Sequence, residues 1–258
     1  MARQPAEIEE IMELAMLAGE ILLKNGAETY RVEDTVERIG LAGGMAKVEP
    51  YATITGLVLS LESPDGRACT RVRRIRERGI SLNKVAQVNE TSRDFAKGLC
   101  SVSQARQELE RIRDAAKGYS TWVHILAAGI GSGCFAFLLG ANLKEFFLAA
   151  LAGALIQLFV LKLGQLGVNR LISNFVGGLV AAGTGTVAQS LLMGVRADQV
   201  IIGAIMSLVP GLALTNAVRD VIHEDLLSGL ARGVEAALVS VAVAVGVSLV
   251  LGLWLGVS

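Results

Sequence analysis

The chain reads as an α+β domain, residues 1–117, followed by an α-helical polytopic membrane domain of about five spans, residues 118–258, and three observations predict that class. Charge is unevenly divided: 18 of the 24 Lys/Arg and 18 of the 24 Asp/Glu fall in residues 1–117, leaving six of each for the remainder. Beyond residue 118 come five apolar stretches, 119–140, 144–163, 168–193, 198–217 and 233–256. Each is near the roughly 20 residues that cross about 30 Å of hydrocarbon. Short β-rich segments bounded by turn residues occur only in the charged half.

The elements follow in order. Residues 1–20 are acidic and helical, with no basic head ahead of an apolar core, so no cleavable signal peptide is expected and the first domain is expected to stay in the cytoplasm. Ile8, Ile11, Met12, Leu14, Ala15, Ala18, Ile21 and Leu22 recur at helical spacing, and Gly26 sits where a C-cap glycine would. A second helix is expected over 27–38, ending near Gly43 and Gly44. Lys47–Thr53, Gly56–Glu62 and 67–75 read as three strands, with Ser63-Pro64-Asp65-Gly66 as a turn. Residues 83–97 and 103–117 return to helical periodicity, the last leading into the membrane.

Composition excludes several classes. A formal net charge of zero argues against nucleic acid as a partner, because phosphate binding needs a basic surplus. Arg71, Arg73, Arg74, Arg76 and Arg78 form a local basic cluster that reads as a solvated strand face and turn, or else as a docking patch for lipid headgroups or another anion. Cys69, Cys100 and Cys134 have no paired spacing and read as packing thiols, giving neither a disulfide framework nor a metal site. There is no phosphate-binding loop, no dinucleotide fingerprint and no hydrolase-type nucleophile with a base, so neither an enzyme nor a cofactor is expected.

In the membrane half, loops expected inside receive Lys117, Lys162, Arg170, Arg219 and Arg232, whereas those outside receive Lys144 and Arg196. By the positive-inside rule this keeps the N-terminal domain cytoplasmic and, with five spans, puts the C-terminus outside. Gly129, Gly131 and Gly133, and then Gly177, Gly178, Gly183 and Gly185, suit close helix contact and favour a packed bundle or homo-oligomer in the bilayer.

The chemistry concentrates between Ser207 and Glu235. Pro210 and Gly211 interrupt the fourth span, since proline removes a donor and glycine a side chain, and a broken helix is expected. Polar groups crowd behind the break: Thr215, Asn216, Arg219, Asp220, His223, Asp225, Ser228, Arg232 and Glu235. Charge beside hydrocarbon costs roughly 2.5–3.5 kcal/mol per side chain, so such groups line a polar path or pair with one another. Arg219 or Arg232 is suited to gripping a substrate carboxylate through parallel hydrogen bonds, and Asp220, Asp225 or Glu235 to an ammonium group or a coupling proton. The competing reading pairs Arg219 with Asp225 and Arg232 with Glu235, or makes the segment a cytoplasmic loop. Asn174, among Ser173, Gly177 and Gly178, either bonds a neighbouring helix or lines the route.

Two strings carry a resemblance: Ser207 to Ala236, SLVPGLALTNAVRDVIHEDLLSGLARGVEA, and Gly26 to Thr35, GAETYRVEDT. Together they resemble the threonine/serine exporter family, and in particular its short form of one cytoplasmic domain plus five spans. The resemblance covers nearly the whole chain. It implies a subunit of a gradient-driven secondary exporter in a bacterial inner membrane, carrying a small carboxylate or amino acid such as succinate, threonine or serine. Longer members carry about four further spans at the C-terminus, so a separate four-span membrane subunit is implied here. It also points to Pro210, Thr215, Asn216, Arg219, Asp220, Asp225, Ser228, Gly229, Arg232 and Glu235 as the polar membrane motif, and to Gly26, Glu28, Thr29, Tyr30, Arg31 and Glu33 as a second motif of unassigned role. The alternative from another class is a membrane-anchored scaffold or ligand sensor whose soluble domain binds a partner.

Overall fold

The computed structural model describes residues 8–115 and 118–257. The chain forms two compact units: residues up to Gly118 together with Thr215–Arg232, and Tyr119–Leu214 together with the residues from Gly233 onward. The second unit is therefore interrupted, and the polar stretch after Pro210 groups with the first. Lys117, expected at an inner loop, lies outside the described residues.

In the first unit, α1 (Ile8–Lys24) buries Ile11, Met12, Leu14, Ala15, Ala18, Ile21 and Leu22 almost completely. It packs against α2 (Thr29–Ala42), α3 (Leu82–Ala96), α4 (Val102–Asp114) and the sheet, which is why its apolar surface is wider than one stripe. The sheet is an antiparallel meander of β1 (Lys47–Thr53), β2 (Gly56–Glu62) and β3 (Ala68–Arg74). Leu57, Leu59 and Leu61 alternate along β2 and are fully buried beneath the helices, as the period of two requires. Tyr51, Val58 and Val72 form one cross-strand row on the opposite face. Arg71 and Arg73 reach back to Glu13 at 3.6 Å and Glu20 at 3.3 Å on α1, so two of the clustered arginines serve the packing of strand on helix. Ser101 and Gln104 close a reciprocal capping box on α4. Of the three thiols, Cys69 and Cys100 pack against this core, whereas Cys134, in the second unit, is exposed and does not act as a packing thiol.

In the second unit, α5 (Thr121–Leu138), α6 (Leu143–Gln165) and α7 (Arg170–Leu191) are long and apolar enough to cross a membrane, and so is α10 (Leu226–Val257). The stretch expected as one span over 198–217 is instead α8 (Ala197–Ile205) and α9 (Gly211–Ile222), separated at Met206–Pro210. Four continuous helices long and apolar enough to span are thus present among the described residues, with a discontinuous pair where the fifth span was expected. α10 also starts well before the expected 233.

Small residues set the helix crossings. A Cβ built on Gly178 would lie 2.5 Å from the Val243 carbonyl oxygen, and one on Gly246 would strike the Phe175 carbonyl, so α7 and α10 meet backbone to backbone. Gly129 and Gly133 do the same for α5 on α6, but Gly131 and Gly183 face open space. At one end of this bundle Glu145 is fully buried, and its carboxylate accepts from Asn142 N at 2.7 Å, Arg196 N at 2.8 Å, Arg196 Nε at 3.2 Å and Arg196 Nη2 at 3.3 Å.

Candidate functional site

The polar motif folds as a helical elbow. On α9, Asn216, Arg219 and Asp220 stand at i, i+3 and i+4 and share one face. The helix stops at Ile222, Glu224 takes a left-handed conformation at φ 65°, and Asp225 N returns to the Asp220 carbonyl at 2.9 Å. Asp225 then caps α10, its Oδ1 accepting Ser228 N at 3.2 Å. The elbow is tight. A Cβ on Gly229 would sit 2.5 Å from Val221 Cγ2 and 2.9 Å from the Ala217 carbonyl oxygen. Residues 219–232 are therefore helix, turn and helix rather than a loop.

This elbow grips the turn between α1 and α2. Gly26 adopts φ 85°, a left-handed conformation that suits glycine, and reverses the chain after α1. The next carbonyls point at the elbow: Asn216 Nδ2 donates to Gly26 O at 3.0 Å and Arg232 Nη2 to Ala27 O at 2.8 Å. Arg219 pairs with the Glu28 carboxylate, whose other oxygen lies 2.5 Å from Arg31 Nε. Thr29 N donates to Asp220 Oδ1 at 3.1 Å. Glu28 stands at the N-cap of α2 without capping it through its side chain, and the buried Thr29 N–H at that end is instead capped from 191 residues away. A carboxylate is the right group there, since the first N–H groups and the helix dipole both favour negative charge.

Electrostatically the two acids differ. Burial pushes the Glu28 carboxyl up, but the hydrogen bond from Arg219 and the charges of Arg31 and Arg219 outweigh it, and the group titrates below its usual range. Burial also pushes Asp220 up, and there it prevails over the charge of Arg232 and the Thr29 N–H, with neighbouring Asp225 adding to the rise. Asp220 is 0% exposed, and its Oδ2 lies 2.9 Å from Arg232 Nε, yet the pair is not aligned as a hydrogen bond. Asp225 Oδ2 and Ser228 Oγ are likewise buried without hydrogen-bond partners. Such under-satisfied polar clusters are costly and concentrate at functional sites.

The remaining expected residues are dispersed. Pro210 is buried and lines an apolar hollow of about 370 Å³ with Leu208, Val243 and Val247. Thr215 is exposed on α9. Glu235 lies in the second unit, 3.7 Å from Arg170, and Asn174 Nδ2 bonds to Arg170 O on its own helix at 2.7 Å. The alternative pairings of Arg219 with Asp225 and Arg232 with Glu235 are replaced by Glu28 and Asp220, because the first-unit turn presents both an acid and open carbonyls to the elbow. Glu33 Oε1 accepts Ala52 N at 2.8 Å and ties α2 to β1. Tyr30 stacks on His223 with centroids 3.9 Å apart, a contact that neither motif announces alone. Among the described residues no group of His, Cys, Asp or Glu is placed to hold a metal ion.

Known proteins resemble the chain over nearly its whole length. A protein of Klebsiella aerogenes named "Probable succinate transporter subunit YjjP" is 26% identical over 98% of both chains, and its Escherichia coli namesake is 26% identical over 97% of both. The "Threonine/serine exporter" of Corynebacterium glutamicum is 22% identical over 95% of this chain and 51% of its own length. These relatives are transporters and exporters rather than enzymes. No solved structure matches the chain. The family described as "Putative threonine/serine exporter" matches residues 13–254, both motifs included, and the chain belongs to that threonine/serine exporter family.

Proposed function

We propose that this chain is one subunit of a secondary exporter that moves small carboxylates or hydroxy amino acids, of which succinate, threonine and serine are the candidates, out of the cytoplasm. A separate small membrane subunit of about four spans completes it. The observation that carries this reading is the elbow itself: a half-exposed guanidinium, Arg219, beside a fully buried acid, Asp220, and a mostly buried guanidinium, Arg232, whose facing atoms are not hydrogen-bonded, directly after a break in the helical chain. Broken helices with charged groups at the break are how many secondary carriers present a polar site. The relatives' names support the substrate class, and the word subunit in two of them supports a partner.

Lys162, Arg170, Arg219 and Arg232 fall in the connections expected on one membrane side, against Lys144 and Arg196 on the other, and this excess supports a cytoplasmic first domain and an outer C-terminus, while the bacterial relatives support an inner membrane. With no phosphate-binding loop, the drive is a gradient. One charge moved through about 100 mV is worth about 2.3 kcal/mol, roughly fifty-fold in solute ratio. Arg219 and Arg232 are the groups for a substrate carboxylate, and Asp220 and Asp225 those for an ammonium group or a proton. Thr215, Asn216 and Ser228, in the same unit, complete the polar set.

One observation favours the alternative of a scaffold or sensor: four motif side chains are engaged by the Gly26–Thr29 turn. Proteoliposomes loaded with labelled succinate, threonine or serine, holding this chain with or without its four-span partner under an imposed proton gradient, separate the two. Efflux that needs both proteins, and that Arg219→Gln or Asp220→Asn abolishes, is the expected result. No efflux of any of the three from inserted, folded protein, or efflux untouched by those substitutions, would overturn the exporter reading.

A further inference from the structure

The contacts that Gly26–Thr29 makes with the elbow have the chemistry of a bound amino-acid or carboxylate ligand. A carboxylate (Glu28) sits on Arg219, a backbone N–H (Thr29) sits on Asp220, and two carbonyls (Gly26, Ala27) take N–H donors from Asn216 and Arg232. We propose that Glu28 is an internal competitor for the solute: its side chain occupies the Arg219 carboxylate site, and a small free carboxylate binds by displacing it. This inference rests on the reading of Arg219 as a solute-carboxylate group and specifies how that group is regulated.

Three features make the exchange physically reasonable. The Glu28 side chain is 8% exposed, but the two guanidinium side chains that bracket it, Arg31 and Arg219, are 48% and 52% exposed, so a solute can reach either one without first opening the core. The swap is isoelectric. One carboxylate leaves and one arrives, and the pair Arg31 and Arg219 is never left without a counter-charge, the situation that makes breaking an ion pair expensive. Glu28 is also the residue just before the first turn of α2, whose end is capped by Asp220, so its departure frees the arginine while the cap that anchors α2 remains. A group held this way lowers the apparent affinity of the solute by the fraction of time Arg219 is unoccupied.

The test is direct binding of succinate to the purified full chain in detergent, by isothermal titration, with the neutral diamide of succinate as control. Glu28→Gln keeps the shape of the side chain and removes its charge. It should bind succinate about tenfold more tightly than the unaltered chain, as expected if Glu28 occupies Arg219 nine-tenths of the time. The diamide should show no gain, and adding Arg219→Gln to Glu28→Gln should erase it. A second measurement covers the case in which the variant is less stable: on the unaltered chain, saturating succinate should shift the carboxyl-carbon NMR resonance of Glu28 as it leaves Arg219, while amide exchange at the start of α2 stays unchanged. Equal or weaker binding by Glu28→Gln, a gain that survives Arg219→Gln, or no binding to either form would each overturn the inference. If succinate efflux in proteoliposomes persists while Glu28→Gln changes nothing, the exporter reading stands and this inference alone fails.

Discussion

Glu145 and Asp220 are both fully buried and each faces an arginine, one in each compact unit, yet their surroundings are opposite in kind. Glu145 receives four N–H donors, three of them from Arg196, whose guanidinium also donates to Gly140 O at 2.9 Å. That is a closed clamp joining the start of α6 to the residue ahead of α8. Asp220 has one oxygen satisfied by Thr29 N, while the other lies close to Arg232 Nε but out of line. A fully donated carboxylate fixes a geometry. A half-donated one leaves hydrogen-bonding capacity that another group, a proton or a solute, can use.

The comparison is sharpest when each arginine is removed. Arg196→Met leaves Glu145 with two backbone N–H donors and no guanidinium, and breaking a buried pair in this way costs about 3–5 kcal/mol. Arg232→Met should cost less, about 1–3 kcal/mol, because Asp220 keeps the Thr29 N–H and can be neutralised by a proton. The sign follows from the raised Asp220 carboxyl: a group held above its usual range contributes stability in acid and loses it as pH rises through its folded value. Arg232 is the main influence pulling that value down, so the variant should lose stability more steeply with rising pH than the unaltered chain. Thermal unfolding of both variants in detergent between about pH 5 and 8 decides it. Equal losses with no pH dependence in Arg232→Met would mean that Asp220 is a closed clamp too.

Much of the architecture was legible because it is local. The strand bounds Lys47–Thr53 and Gly56–Glu62 were read from alternation and turn residues, and the interruption near Pro210 from the chemistry of proline. The early start of α10 was not, since Arg232 resembles a loop residue flanking a span; the signal was Asp225, an N-cap acid three residues before Ser228. The union of the two motifs was invisible. Periodicity reports neighbours a turn or two apart, and nothing in a single sequence links Glu28 to Arg219 across 191 positions. The polar residues after Pro210 stand out in the sequence as chemically unusual, but their partners are tertiary facts.

A second contrast lies among glycines that look alike in sequence. Gly246→Ala should cost about 1–3 kcal/mol, because the new methyl meets the Phe175 carbonyl at the α7–α10 crossing and only backbone movement relieves it. Gly183→Ala should fall within about 0.5 kcal/mol of neutral, since nothing lies within 4 Å of the added carbon. Unfolding temperatures of the pair test whether the crossing is as close as the structure has it. Similar values for both would say that α10 can draw back from α7.

A small stability effect should come from the residue with the largest proposed effect on binding. Arg31 and Arg219 are each about half exposed, so the Glu28 pairs are worth about 1 kcal/mol or less to the fold. Glu28 titrates below its usual range, and a depressed acid contributes stability above that range and loses it as pH falls through its folded value. The gap in unfolding temperature between the unaltered chain and Glu28→Gln should therefore be small at neutral pH and close below about pH 4.3. A small, pH-closing gap combined with much tighter succinate binding separates a competitor from a structural strut: a strut lost from the fold weakens both properties together, whereas a displaced competitor leaves the fold nearly intact and hands its arginine to the solute.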